Sequence, residues 1–257
     1  MRWLARGEQE MPVGDAWLAP AERARLAGLR FTKRRTEYRL RRWAGKHAVA
    51  AVAGLEASAE RLATIEILNH RGGAPYVQLD GEPLDVDISL TDRAGWAVCL
   101  VSDRAGAGDG PATVGVDLEL VEPRSDGFVQ DFFTADESAH VRSLPAGQAR
   151  YVAANLFWSA KESALKILRT GLRADTRSVE VRLTEPGELL RTDGWSPLEV
   201  REPSGRCFPG WWRRDGVFVL TVAYDRPGEP PGVLAGATAD LSTAVPVHSW
   251  LTQPITC

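Results

Sequence analysis

The chain is expected to fold as an α+β protein of two related halves, each joining a mostly antiparallel sheet to one long helix. Three observations predict this. Residues 32–53 and 155–172 carry apolar side chains at three- and four-residue steps over helical lengths. Runs of strand-forming residues, GWAVCLV in the first half and VFVLTVA in the second, follow each helix. Between them lies a polar, glycine-rich stretch, SDRAGAGDGPA, which reads as a hinge. The expected division is 1–107, 108–226 and a Pro- and Gly-rich tail, 227–257.

Bulk composition sets the outer limits. A length of 257 residues fits one large domain or two small ones. Apolar content of 44% and charged content of 25% are those of a soluble globular protein. The net charge of −3 argues against a general polyanion binder, so no nucleic acid partner is expected. The basic residues are uneven, however: residues 22–46 hold ten Lys or Arg against two Glu, which suggests a local anion site. Cys99, Cys207 and Cys257 include no CxxC pair, as expected of a reduced compartment. No apolar run approaches the roughly 20 residues that span a bilayer. The opening MRWLARGEQEMP has no signal-peptide apolar region, so a cytoplasmic, membrane-free protein is expected.

In order, residues 1–19 read as a strand and a loop, and Pro20 opens a helix that Gly28 ends. The helix of residues 32–53 follows. Lys33, Arg35, Arg39, Arg42 and Lys46 fall on one side of it. That side is either a solvated face or a phosphate-gripping one, since Arg and Lys are the usual phosphate partners. Residues 58–68 have no clear type, and NHRGGAP (69–75) is a turn with Arg71 at its centre. Strands are expected at 86–89 and 95–101, with 91–93 as the turn between them.

The second half opens on a strand, TVGVDLEL. Residues two apart share a strand face, so Asp117 and Glu119 project together. Two like charges on a buried strand repel and lose solvation. Either a divalent cation resolves this, or the strand is an edge with one wet face. Residues 128–133 form a helical turn, and Thr134 with Glu137 makes a capping box for a helix to Ser143. The helix NLFWSAKESALKILRTGL then places Glu162 and Lys166 one turn apart, which by itself is a surface ion pair. Strands at 179–183, 198–200, 207–213 and 217–223 complete the half, and the tail after 226 reads as loop or partly disordered.

Three segments together resemble a known family. GVDLE (115–119), FFTADE (132–137) and WSAKESALK (158–166) stand in the order and spacing of the 4′-phosphopantetheinyl transferases, two-domain Sfp-type branch. That resemblance implies two pseudo-symmetric halves with the active site in the cleft between them. It implies transfer of the phosphopantetheine arm of coenzyme A, the co-substrate, to a serine of an acyl or peptidyl carrier protein. Adenosine 3′,5′-bisphosphate is released. Such enzymes prepare fatty-acid, polyketide or nonribosomal-peptide synthases, and a monomer is expected. Asp117, Glu119 and Glu162 are implied as Mg2+ ligands, Glu162 also as the base, and Lys166 as the group facing the leaving phosphate. Lys161 is implied as a second pyrophosphate contact.

For coenzyme A, the resemblance implies Arg42 and Lys46 as phosphate contacts, with Lys33 and Arg35 nearby. The family's Ser-His-Ser turn is here Ser89-Leu90-Thr91, and Ala74 stands where a Lys is usual. Arg71 and Arg93 are the candidate substitutes. A divergent coenzyme A- or carrier-binding module and a Mg2+-dependent phosphohydrolase are the alternatives that these departures leave open.

Overall fold

The structure is a computed structural model describing residues 1–103, 110–169, 175–184, 189–192, 194–234 and 239–247. The chain divides into two compact units. One holds Met1–Ala112 with 231–234, 239–240 and 245–247, and the other holds Thr113–Pro230 with Leu241–Ala244. The boundary expected after residue 107 lies outside the described residues.

The first unit runs β1 (Arg2–Gly7), α1 (Pro20–Ala27), α2 (Thr32–Ala53), α3 (Ala59–Thr64), β2 (Ile65–Asn69), β3 (Pro75–Leu79), β4 (Glu82–Pro83), β5 (Val86–Arg93) and β6 (Trp96–Asp103). The second runs β7 (Val114–Leu120), α4 (Asp126–Phe132), α5 (Ala135–Ser143), α6 (Gln148–Ile167), β8 (Glu180–Leu183), β9 (Ser196–Arg201), β10 (Cys207–Asp215) and β11 (Phe218–Tyr224). The mostly antiparallel α+β class is therefore as expected. In the first unit β6 lies between β1 and β5, and β2–β3–β4 form a separate small sheet. In the second the order is β7-β11-β10-β9-β8, all antiparallel.

Each unit has its own apolar core, laid down by one face of its long helix on its sheet. Leu40, Ala44, Ala48 and Val49 of α2 pack with Leu4, Ile88 and Val101. Leu156, Phe157, Ala160 and Ala164 of α6 pack with Val200, Trp212 and Val219. The helix α2 ends where expected, at Gly54 with φ 65°, a left-handed stop that glycine adopts without strain.

Each unit has an internal brace of the same kind, and the same sequence spacing separates its glutamate from its lysine. Glu22 in α1 accepts the Ala19 N–H at 2.9 Å and the Ile67 N–H at 3.1 Å. Lys46 of α2 lies 2.5 Å from that carboxylate and donates to the carbonyls of Leu62 and Ile65 at 2.8 and 2.6 Å. In the second unit Glu137 accepts the Thr134 N–H at 2.8 Å and the Val181 N–H at 2.7 Å. Lys161 of α6 lies 2.8 Å from Glu137 and donates to the carbonyls of Thr176 and Val179 at 2.9 and 2.6 Å. Each pair thus ties a short helix, the long helix and the following strand together, with every charge matched by hydrogen bonds. The capping box at Thr134–Glu137 is present, and its carboxylate also serves this brace.

Three expectations are corrected. Residues 91–93 are not a turn: β5 continues to Arg93, and Ala94 (φ 50°) and Gly95 (φ 80°) make the reversal. Ser89 and Thr91 are therefore buried mid-strand, opposite Leu100 and Val98. Helix α6 begins at Gln148 rather than 155, because Gly147 (φ 108°) sets the start and Val152 and Ala153 already belong to the core. The expected stop at Gly171 lies outside the described residues. Part of the tail is ordered: β12 (Gly232–Val233) pairs in parallel with β1, Leu234 is buried, and Val245 accepts a hydrogen bond from Trp96.

Candidate active site

The candidate site is built where α6 crosses β7. The whole of β7 is buried. Gly115 permits this crossing: a Cβ there would stand 1.9 Å from the backbone carbonyl oxygen of Ser163. Replacing Gly115 with Ala should therefore force strand and helix apart and cost upwards of about 3 kcal/mol, read as a lowered urea midpoint. An unchanged midpoint would contradict this packing.

Four residues of α6 at three- and four-residue steps serve the strand beneath. Asn155, Trp158, Glu162 and Lys166 form a row along one helix face. Lys166 donates to Asp117 Oδ1 at 2.9 Å and to the Val116 carbonyl at 2.6 Å. It is thus the partner of the strand rather than of Glu162. Trp158 Nε1 donates to Glu119 Oε1 at 3.0 Å. The other oxygen of Glu119 accepts from Arg124 Nη2 at 2.9 Å. Arg124 Nε in turn donates to Asn155 Oδ1 at 2.7 Å. Asn155 is fixed by its own donations to the carbonyls of Glu122 (2.7 Å) and Tyr151 (2.8 Å).

Glu162 sits between these groups. Its Oε1 is buried with no hydrogen-bond partner. Burial first, then the charge of Asp117 and with a smaller effect that of Glu119, push its carboxyl up to about 7, against the pull of Lys166. A carboxyl so placed exchanges a proton near neutrality, as acid–base chemistry requires. Behind the site Thr221, the β11 residue opposite Asp117, bonds Ser159 and Ser163 at 2.8 Å each.

The expected site residues separate into two groups. Asp117, Glu119, Glu162 and Lys166 come together. Lys161 does not: it is fully buried in the brace with Glu137, and burial lowers its pKa. Lys46 is likewise fully buried with Glu22. Arg42 is 5% exposed, with its guanidinium 3.5 Å from Glu22, bonded to Asn69 Oδ1 at 2.9 Å and stacked on Tyr38. These three read from sequence as phosphate ligands but are internal cations. Lys33 pairs with Glu37 at 3.7 Å on the outer face of α2, and Arg71 is exposed in the turn before β3. Arg124 and Asn155 escaped sequence reasoning because neither belongs to a charged pattern; an arginine shortly after a two-carboxylate strand was the available signal.

A cation was expected on Asp117, Glu119 and Glu162. As the side chains stand, no three His, Cys, Asp or Glu among the described residues form a metal-binding group. Lys166 and Arg124 hold the strand carboxylates instead. The donor set nevertheless fits a hard dication in kind. It is carboxylate oxygen only, and one buried oxygen, Glu162 Oε1, has no hydrogen-bond partner. No helix among the described residues is long and apolar enough to cross a membrane.

One comparison with known proteins falls on the same stretch. A family model described as the 4′-phosphopantetheinyl transferase superfamily matches residues 113–203. The 4′-phosphopantetheinyl transferase psf-1 of Bacillus pumilus is 27% identical over 139 residues, covering 54% of this chain and 53% of that protein. The 4′-phosphopantetheinyl transferase ffp of Bacillus subtilis is 30% identical over 120 residues, covering 47% of this chain and 50% of that protein. The chain thus spans about half the length of the curated relatives it matches. Asp117, Glu119, Glu162 and Lys166 all lie within the segment that matches the 4′-phosphopantetheinyl transferase superfamily model.

Proposed function

We propose that this protein transfers the 4′-phosphopantetheine arm of coenzyme A to a serine hydroxyl of an acyl or peptidyl carrier protein, releasing adenosine 3′,5′-bisphosphate. The observation that carries the reading is Glu162: a carboxyl pushed up to about 7, with one buried oxygen lacking a hydrogen bond, beside Asp117 and Lys166. Asp117, Glu119 and Glu162 would hold Mg2+, which when bound neutralises charge on the pyrophosphate oxygens. Glu162 Oε1 takes the proton of the serine hydroxyl as its oxygen attacks the β-phosphorus. Lys166 commits two of its three N–H groups, to Val116 and Asp117, and its third faces the phosphate of the leaving adenosine bisphosphate.

On the first unit we assign the adenosine end of coenzyme A to the exposed Arg71 and the half-buried Lys33, in place of the buried Arg42 and Lys46. Arg71→Ala should then raise the KM for coenzyme A about tenfold with kcat little changed, the loss of one charged contact. An unchanged KM would remove Arg71 from the site.

The test of the reaction class is nucleotide release. With coenzyme A and Mg2+ alone the protein should release no adenosine bisphosphate, and addition of an apo carrier protein should start release. Release without carrier would mean hydrolysis instead. Coenzyme A binding without any turnover would mean a binding module.

A further inference from the structure

Arg124 belongs to none of the motifs that define the site, yet three contacts fix it there. Its guanidinium bonds Glu119 Oε2 at 2.9 Å and Asn155 Oδ1 at 2.7 Å, and lies 4.6 Å from the centre of the Phe128 ring. Phe128 is itself wedged against Trp158, with ring centres 5.1 Å apart. Asn155 is fully buried and carries no freedom of its own, since both Glu122 and Tyr151 carbonyls hold its amide. Glu119 is therefore gripped at each oxygen, by Trp158 on Oε1 and by Arg124 on Oε2.

That double grip matters for which cation the carboxylate accepts. Each oxygen of a carboxylate has about two lone-pair positions, and an N–H bond occupies one of them. A carboxylate gripped at both oxygens is held in one orientation and has about half of its lone pairs left, so turning both oxygens to one metal is disfavoured. Mg2+ is small and holds near-octahedral ligands, one oxygen per carboxylate. Ca2+ takes six to eight oxygens and readily uses both oxygens of one carboxylate. We propose that Arg124 is a specificity-determining residue of this site: by pinning Glu119 it holds the carboxylate to single-oxygen use and so favours Mg2+ over Ca2+. Removing the arginine also removes a positive charge, which should strengthen binding of either dication. The discriminating quantity is therefore the ratio of the two affinities.

This inference rests on the Mg2+ part of the proposed function, but its test uses no turnover. Mg2+ and Ca2+ are titrated against wild type, Arg124→Met and Arg124→Lys by displacement of Mn2+, followed by electron paramagnetic resonance. Circular dichroism melts establish that each variant is folded. Wild type should prefer Mg2+. Arg124→Met should shift the Mg2+/Ca2+ affinity ratio toward Ca2+ by about tenfold, the effect of one regained ligand contact. Arg124→Lys keeps the charge but lacks the planar fork that holds Glu119 and Asn155 in fixed geometry, and should move the ratio part of the way. A ratio unchanged in both folded variants overturns the proposal, as does a wild type that binds neither ion. Failure of the transferase reading looks different: Mg2+ preference and its shift would persist while no carrier protein is modified.

Discussion

Glu162→Gln should lose transfer activity by a factor of about 10²–10⁴, the usual contribution of a general base, while becoming more stable than wild type at pH 8 in metal-free buffer. The two effects share one cause. The folded carboxyl titrates at about 7, above its ordinary value of 4.5, because it is buried beside Asp117 and Glu119. The folded state thus binds this proton more tightly than the unfolded chain does. Its contribution is fully present below about pH 4.5 and is lost as pH rises through about 7. Above that, an ionised Glu162 costs at most about 3 kcal/mol of stability, the size of that displacement. Glutamine carries no such charge, so the urea midpoints of the two proteins should diverge with rising pH and converge near pH 5. Parallel midpoints from pH 5 to 8, or near-wild-type transfer by the glutamine variant with Mg2+ saturating, would remove Glu162 from this role.

Lys161→Met should cost about 3–5 kcal/mol of folding stability and leave the KM for coenzyme A of the folded enzyme unchanged. The ammonium is fully buried, 2.8 Å from Glu137 and bonded to two carbonyls. Removing it strands a buried carboxylate, and breaking a buried pair from one side is costly in this range. Replacing both partners, as Lys161→Met with Glu137→Gln, should recover part of the loss, because no uncompensated charge remains. A pyrophosphate-binding Lys161 predicts the reverse pattern, with stability kept and KM raised. Urea melts beside steady-state kinetics separate the two.

The two lysines of KESALK show where sequence reading succeeds and where it stops. Local periodicity makes the stretch a helix and puts Glu162 and Lys166 on one row of it. The alternation of β7 places Asp117 and Glu119 on a common face. Both inferences need only neighbours in the chain. Lys161 differs, since nothing within the helix distinguishes a lysine that meets a phosphate from one that meets Glu137. That distinction rests on a contact across many residues, and on carbonyls of Thr176 and Val179 that have no side-chain signature. The same holds for Lys46, whose partners are Glu22 and the carbonyls of Leu62 and Ile65. Lys33, Arg35, Arg39, Arg42 and Lys46 read as one side of α2, yet Arg42 and Lys46 turn inward to Glu22 while Lys33 pairs with Glu37. The turn of the first sheet was lost through Ala94, a residue that gives no turn signal beside the polar 91–93. Arg124 was invisible because its meaning comes from Asn155, Phe128 and Glu119 together.

The central claim is that the α6–β7 site moves phosphopantetheine to a carrier protein. Intact-mass measurement of an apo carrier domain, incubated with this protein, coenzyme A and Mg2+, tests it most directly. Wild-type carrier should gain one phosphopantetheine group, and carrier whose acceptor serine is alanine should gain none. A carrier that keeps its apo mass across acyl and peptidyl classes, with folded protein and saturating coenzyme A, would contradict it.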